Sequence, residues 1–516
     1  MASPAASVLL LLLLSLFLLT AAAVSTVVCA SVTVRVDPVE LAAEVDDSFI
    51  SYTVDASQFW SPNSENVLDL NRPRIVALAR ALSGGGHTLL RVGGTKADAV
   101  YYDLSNSPPS SPPPGYQYVL NHTMWDSLMV FADSVGARVV FGLNLVAPRK
   151  GKDWDPSNAQ RLLEYTLAMN YSATVAGWEL GNEPNLFLFN YGFSSFESGE
   201  QLVKDFSVAR SLLKELYPRW LLVGPDIAFQ IPIIGEGVIP LYPEFMEHGG
   251  GNLVDAVTYH FYAMESNRCP LWYVDPDYAT PEKAHNPKYL SAVDKVAELM
   301  AKERDKYSPG LPIWMGETAD VSCGGALNVS NVFVSLFFNL DELGNLARRD
   351  TKVVMRQTLL ESRYGLINPS TLDPQPVFWS SLLFLRLMGK RVLRVSLDGD
   401  APDTLRVYAH CSRASGVVTF LILNCDASRP LTIFGTSLPD EGGTGAAIQV
   451  YRLSGGPQGI ASPTVFLNGN PLSVGVDNQL PDLQPESSSW PLTLDPLNIV
   501  FVSVQTSLTL CAGPET

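Results

Sequence analysis

The sequence predicts an α/β fold: a (β/α)8 barrel followed by a C-terminal β-sandwich. Three observations carry this. Eight apolar runs rich in Val, Ile, Leu and Phe recur as far as Leu387, most of them separated by a segment of helical periodicity. Polar residues gather where these runs end, the face on which such barrels place their chemistry. After Leu387 the helical period fades, and short strands punctuated by Gly, Pro and Asp take over.

The N-terminus opens with the Leu-rich run Val8–Leu19, followed by the small residues Ala21–Ala23 and then Val28–Ala30. It reads as a secretory signal over residues 1–23, with cleavage as late as Ala30. No Lys or Arg precedes Arg35, so a single anchor from about Val8 to Ala30 is the alternative. Residues 31–44 contain the alternating stretch Ser31–Val36, which is expected to add a strand to the sandwich.

The barrel is expected over residues 45–387. Its strands are Ser48–Asp55, Leu89–Gly94, Arg138–Asn144, Val175–Glu183, Leu221–Asp226, Ala256–Tyr262, Ile313–Thr318 and Val353–Thr358. They are apolar throughout because parallel barrel strands are buried on both faces. Helical periods fill Arg74–Leu82, Met124–Val135, Ala159–Met169, Gln201–Leu216 and Pro287–Lys302. The Pro/Ser stretch Ser105–Gly115 reads as a stiff exposed loop between the second strand and its helix. Residues 388–516 supply the sandwich through Arg391–Ser396, Thr404–His410, Val417–Asn424, Leu431–Phe434, Ala447–Leu453, Thr464–Leu467 and Asn498–Val504.

The net charge of −17 repels nucleic acid and anionic lipid headgroups. No nucleic-acid partner is expected. Nor is a membrane span after signal cleavage, although peripheral membrane association stays open. Asn121, Asn170 and Asn328 each begin an Asn-x-Ser/Thr glycosylation signal. If Cys29 leaves with the signal, Cys269, Cys323, Cys411, Cys425 and Cys511 remain, in a spacing that suits neither zinc nor a redox motif. Structural disulfides plus one buried thiol fit this set.

Two acids stand where apolar strands open into loops: Glu183 in Trp178-Glu-Leu-Gly-Asn-Glu-Pro184 and Glu317 in Trp314-Met-Gly-Glu-Thr318. Two carboxyls on different strands are what sugar-bond hydrolysis needs, one as proton donor and one as nucleophile or base. The pattern assigns Glu183 the acid/base role and Glu317 the nucleophile. Pro184 stops the strand and fixes the turn that aims Glu183, and Asn182 is placed to bond a sugar hydroxyl. His260 and Tyr262, two apart on strand six, point the same way and are candidates to orient the nucleophile. Trp178, Trp314 and Trp379 suit either sugar stacking or the core, and Glu179 stays unassigned. No phosphate loop, zinc spacing or Ser/His/Asp arrangement appears, so neither metal nor cofactor is expected.

Several segments in order resemble heparanase and the other members of glycoside hydrolase family 79, in particular the plant heparanase-like proteins. They are Leu90–Asp98, Phe141–Asn144, Trp178–Asn185, Val257–Tyr262, Trp314–Thr318 and Val354–Gln357. The resemblance runs from about Ser48 to Cys511 and implies a retaining β-glucuronidase. It also implies that Asp55, Thr95, Asn182, Gln357 and Tyr364 line a uronic acid subsite, and that Cys411 pairs with Cys511. Cys269 and Cys323 follow strands six and seven and could form a second bridge. The chain departs from animal heparanases in having no long excised segment and no Lys or Arg between Lys96 and Arg138. That argues against heparan sulfate and for a weakly charged glucuronoside, such as terminal glucuronic acid on a cell-wall proteoglycan or a small glucuronide. The expected location is secreted, or lysosomal or vacuolar. A non-catalytic carbohydrate-binding matrix protein, or a barrel glycosidase for an arabinofuranoside or xyloside, are the rival readings.

Overall fold

The computed structural model describes residues 30–58, 69–105, 111–192, 195, 197–230, 240–269, 278–399, 401–438 and 445–513. The expected signal, or the alternative anchor, lies outside these residues, as does the middle of the Pro/Ser stretch. No helix among the described residues is long and apolar enough to cross a membrane.

Eight parallel strands close into a barrel in chain order: Ile50–Asp55, Leu89–Gly93, Arg138–Leu143, Val175–Leu180, Leu221–Gln230, Ala256–Met264, Ile313–Val321 and Thr351–Arg356. The eighth strand returns to pair with the first, Val354 opposite Ile50. All eight expected runs are strands, but several ends differ, strand five running on past Asp226 to Gln230. Strand four stops at Leu180, because Gly181 turns the chain at φ 79°. A Cβ on Gly181 would lie 2.6 Å from Leu145, so only glycine makes this turn. Strands six and seven run on past Tyr262 and Thr318 to Met264 and Val321.

The helices around the barrel begin and end where side chains allow. Asn121 caps His122–Val135 by accepting the Met124 N–H at 3.0 Å, and Gly136 at φ 71° closes it. Ser198 caps Gly199–Leu216 in the same way. The period expected over Pro287–Lys302 is broken at Ser291 into Pro287–Leu290 and Ala292–Tyr307. Trp178, Trp314 and Trp379 are all buried, so none is a sugar platform. Trp178 stacks on Trp125, and Trp314 belongs to the inner layer formed with Leu89, Ala176 and Met355.

The C-terminal strands form an eleven-stranded sheet that also takes in the N-terminal strand Ala30–Glu44. That strand lies between Arg391–Asp398, antiparallel, and Leu431–Thr436, parallel. Val32, Val34, Phe420, Ile422, Ile433, Val450 and Val502 share its core. The polar strand Glu486–Ser489 and the short Leu492–Leu494 also belong to the sheet, although neither shows an apolar run in the sequence. Tyr408 bonds Asp341 at 2.7 Å and Arg406 bonds Ser291 at 2.8 Å, joining the sheet to the barrel helices. Cys411 is bonded to Cys511 and Cys269 to Cys323, while Cys425 is free and buried. Asn170 and Asn328 are exposed, and Asn121 is half-buried beneath its capping role.

Candidate active site

Strand six is regular: Val257, Tyr259 and Phe261 pack outward in the main core, leaving His260 and Tyr262 to point into the barrel. Strand seven is not. Tyr259 pairs with Met315 but His260 pairs with Glu317, so Gly316 is an extra residue, a β-bulge. Without it Glu317 would follow Met315 onto the outer face; with it Glu317 joins the interior. A Cβ on Gly316 would sit 3.1 Å from Asp226 and 3.4 Å from His260. The glycine before Glu317 therefore has a packing cause.

The acid turn is built differently. After Gly181, Asn182 donates its backbone N–H to Asp98 Oδ1 at 3.0 Å, and Glu183 donates its own to the Asp226 carbonyl at 3.0 Å. Glu183 takes left-handed angles, φ 53° and ψ 54°, before Pro184 starts a short helical turn. A residue with a Cβ pays about 1–2 kcal/mol for that conformation, so the turn must be held from outside.

At the centre lies Arg91, 1% exposed on the otherwise apolar second strand. It donates to Glu179 Oε2 and Glu317 Oε2, each at 2.8 Å, to Asn182 Oδ1 at 3.0 Å and to Asp226 Oδ2 at 3.3 Å. Tyr262 donates its hydroxyl to Glu317 Oε1. His260 Nδ1 lies 3.0 Å from Glu183 Oε1, and Nε2 lies 3.6 Å from Asp226 Oδ1. Glu183 is 9% and Glu317 8% exposed, so both acids reach the cleft while their partners are sealed behind them.

The charges follow from these contacts. Burial and Arg91 oppose a charge on His260, but Glu317, Asp226 and Glu183 raise it to about 10, making it an imidazolium with two donors. Burial also works against a charge on Asp226, yet Arg91 and His260 hold its carboxyl well below the usual range. Burial pushes Glu317 up, opposed by His260 and Arg91. Burial and the Glu317 charge push the Tyr262 phenol up, so it stays a donor.

Gln357 donates to Asp55 Oδ2 at 3.2 Å and accepts from Thr53, which ties the end of strand eight to strand one. Tyr364 is buried with its ring 6.3 Å from that of Tyr262, and burial with the Glu317 and Asp55 charges raises its phenol. Asp55 also faces Gly94, where a Cβ would meet its carboxylate at 2.9 Å. Thr95 begins the next turn and is exposed at the rim, where its carbonyl accepts from Tyr191 at 2.5 Å. The acids, Asn182, His260 and Tyr262 thus form one bonded group. Gln357, Asp55 and Tyr364 make a second beside it, and Thr95 stands at the edge. The site residues to which sequence reading gives no role are Arg91, Asp98, Asp226 and Glu179, the last singled out but left unassigned. A charged residue in the apolar run Leu89–Gly93 is the one signal that could have revealed Arg91, since such a charge requires buried partners.

Among the described residues, one ligand atom each of Glu183, His260 and Glu317 lie within 4.8 Å of one another, the donor types of a metal site. The Arg91 guanidinium already holds Glu317, and its charge opposes a second cation there. Two carboxyls this close, one bonded by an imidazolium and the other by a guanidinium and a phenol, suit transfer at an acetal carbon between them.

Residues 31–344 match the family model Glycosyl hydrolase family 79, N-terminal domain. The chain is 30% identical to heparanase-like protein 1 of Arabidopsis thaliana, covering 89% of this chain and 90% of that protein. It is 29% identical to hyaluronoglucuronidase of Hirudo nipponia, covering 92% and 97%. It is 31% identical to inactive heparanase-2 of Homo sapiens, covering 75% and 64%. The fold is shared with a solved 4-O-α-L-rhamnosyl-β-D-glucuronidase of Fusarium oxysporum, at a TM-score of 0.62 and 15% identity over 92% of this chain and 100% of that one. The chain belongs to glycosyl hydrolase family 79, a glycoside hydrolase of the heparanase-like kind that cleaves O-glycosyl bonds.

Proposed function

We propose that the protein is a retaining β-glucuronidase, secreted or vacuolar, acting on weakly charged glucuronosides. The observation that carries this is a carboxylate oxygen of Glu183 within 4.8 Å of one on Glu317. Retaining pairs stand about 5–5.5 Å apart, whereas inverting pairs need about 6.5–9.5 Å to admit a water.

In this reading Glu183 protonates the leaving oxygen as a Glu317 oxygen bonds the anomeric carbon and the glycosidic bond breaks. Glu183 then takes a proton from water, whose oxygen displaces Glu317 and releases the sugar. Arg91 and Tyr262 orient the nucleophile, and His260 orients the acid. Asn182 has its Oδ1 on Arg91, which leaves its amide N–H groups for a sugar hydroxyl. Asp55, Gln357, Tyr364 and Thr95 line the uronic acid subsite. The net charge of −17 and the absence of Lys and Arg between Lys96 and Arg138 disfavour a sulfated polymer. Terminal glucuronic acid on a proteoglycan glycan, or a small glucuronide, fits better.

The test is a panel of nitrophenyl β-glucuronide, α-arabinofuranoside and β-xyloside. Turnover of the glucuronide alone is expected; preference for either of the others would overturn the sugar assignment. Similarity to inactive heparanase-2 favours one second reading, a non-catalytic binding protein. Covalent labelling of Glu317 by a mechanism-based glucuronide inhibitor separates the two.

A further inference from the structure

Asp98 is fully buried in the short turn Thr95–Ala99, behind the acid turn. Its carbonyl accepts from Val146 N and Ala147 N, both at 3.1 Å, which fixes it to the loop after strand three. Its Oδ1 accepts the Asn182 N–H. That bond and the Glu183 N–H to Asp226 carbonyl bond hold the backbone that sets Glu183 at its left-handed angles.

The other oxygen, Oδ2, is buried with no hydrogen-bond partner at normal distance among the described residues. Glu183, Asp226 and Arg91 are the charged groups that face Asp98, and Tyr102 and Tyr191 are its phenol neighbours. Tyr102 accepts the Asn144 N–H at its hydroxyl oxygen, and among the described residues it makes no hydrogen bond to Asp98 Oδ2. Tyr191 donates to the Thr95 carbonyl at 2.5 Å, and the Asp98 carboxyl is a second neighbour of the same hydroxyl that raises the phenol. A carboxylate with a bare oxygen beside two other carboxylates is costly in such a pocket. A carboxylic acid still accepts from Asn182 through Oδ1 and places its O–H toward Tyr191. Burial, with the Glu183 and Asp226 charges, pushes this carboxyl well above the usual range, against the Asn182 bond and Arg91.

We propose that Asp98 is a positioning residue that works as a neutral carboxylic acid, anchoring the Asn182–Glu183 turn without placing a negative charge beside Glu183. This rests on the reading of Glu183 as proton donor, so kinetics are measured on whichever glycoside the wild type hydrolyses. Asp98→Asn mimics the neutral form and Asp98→Ala removes the anchor. Asp98→Ala should lose about 100-fold in kcat with KM within about threefold, while Asp98→Asn should stay within about threefold in kcat with the wild-type acidic limb of the pH–rate profile. Wild-type kcat in Asp98→Ala would remove the anchor. An Asp98→Asn loss equal to that of Asp98→Ala, or a displaced acidic limb, would show that the charged form is needed. An arm independent of activity is the wild-type minus Asp98→Asn infrared difference spectrum at neutral pH. A lost protonated-carboxyl stretch is expected, and a lost carboxylate band overturns the proposal. If Asp98→Ala does not fold, the Asp98→Asn profile and spectrum decide. Failure of the glucuronidase reading shows separately, as a wild type inert to the whole panel.

Discussion

Tyr262 donates its hydroxyl to Glu317 Oε1 while Arg91 holds the Oε2 of the same carboxylate at 2.8 Å. Both oxygens of the candidate nucleophile are thus fixed before any sugar arrives. The Tyr262 bond is charge-assisted and worth about 1.5–3 kcal/mol. Tyr262→Phe should therefore lower kcat roughly 10- to 100-fold. Steady-state kinetics showing a wild-type kcat would remove Tyr262 from the machinery.

Glu317→Gln keeps the shape of the side chain and removes its charge. Turnover should drop at least about 10³-fold, with the thermal midpoint retained. Undiminished glucuronide release by a verified pure sample would end the nucleophile assignment.

Arg91 serves three buried carboxylates. Arg91→Met leaves Glu179, Asp226 and Glu317 uncompensated, and breaking a buried pair in this way costs about 3–5 kcal/mol. Urea denaturation measures this directly. A loss below about 1 kcal/mol, the scale of a surface ion pair, would mean that the acids neutralise themselves without it.

His260 is raised from 6.5 to about 10, against burial and Arg91, by Glu317, Asp226 and Glu183. The folded protein therefore keeps a proton that the unfolded chain gives up above pH 6.5. The stabilisation is complete below that pH and is lost as pH rises through about 10. The thermal midpoint of the wild type should fall across this interval more steeply than that of His260→Asn. Parallel slopes would show that the ring is neutral.

Cys411 and Cys511 close a loop of sequence separation 100. Replacing both with Ala should cost about 2–4 kcal/mol, read as a lower urea midpoint. An unshifted midpoint would leave the bridge without a role in stability.

Much of this is legible in the chain because buried parallel strands appear as unbroken apolar runs, and because Glu183, His260, Tyr262 and Glu317 interrupt such runs with polar groups. The rest depends on long-range pairing. Nothing local to Met315-Gly-Glu317 reveals that Gly316 is the extra residue of a bulge; the register with Tyr259 and His260 does. Glu179 has no partner in local sequence; Arg91, two strands away in the barrel, bonds it. Asp98 acquires its role from a backbone N–H 84 positions away. The strand Glu486–Ser489 is hidden because its side chains are polar and its pairing lies wholly in the backbone.

The strand Ala30–Glu44 sits inside the C-terminal sheet, flanked on both edges by segments that follow the whole barrel. During synthesis it emerges before the barrel and waits for neighbours made after it, with its hydrogen-bonding edges bare in the meantime. The two modules are therefore stitched together by their own ends. Removing the N-terminal strand, or the C-terminal module that holds it, opens the seam between them, so neither module is a detachable cassette.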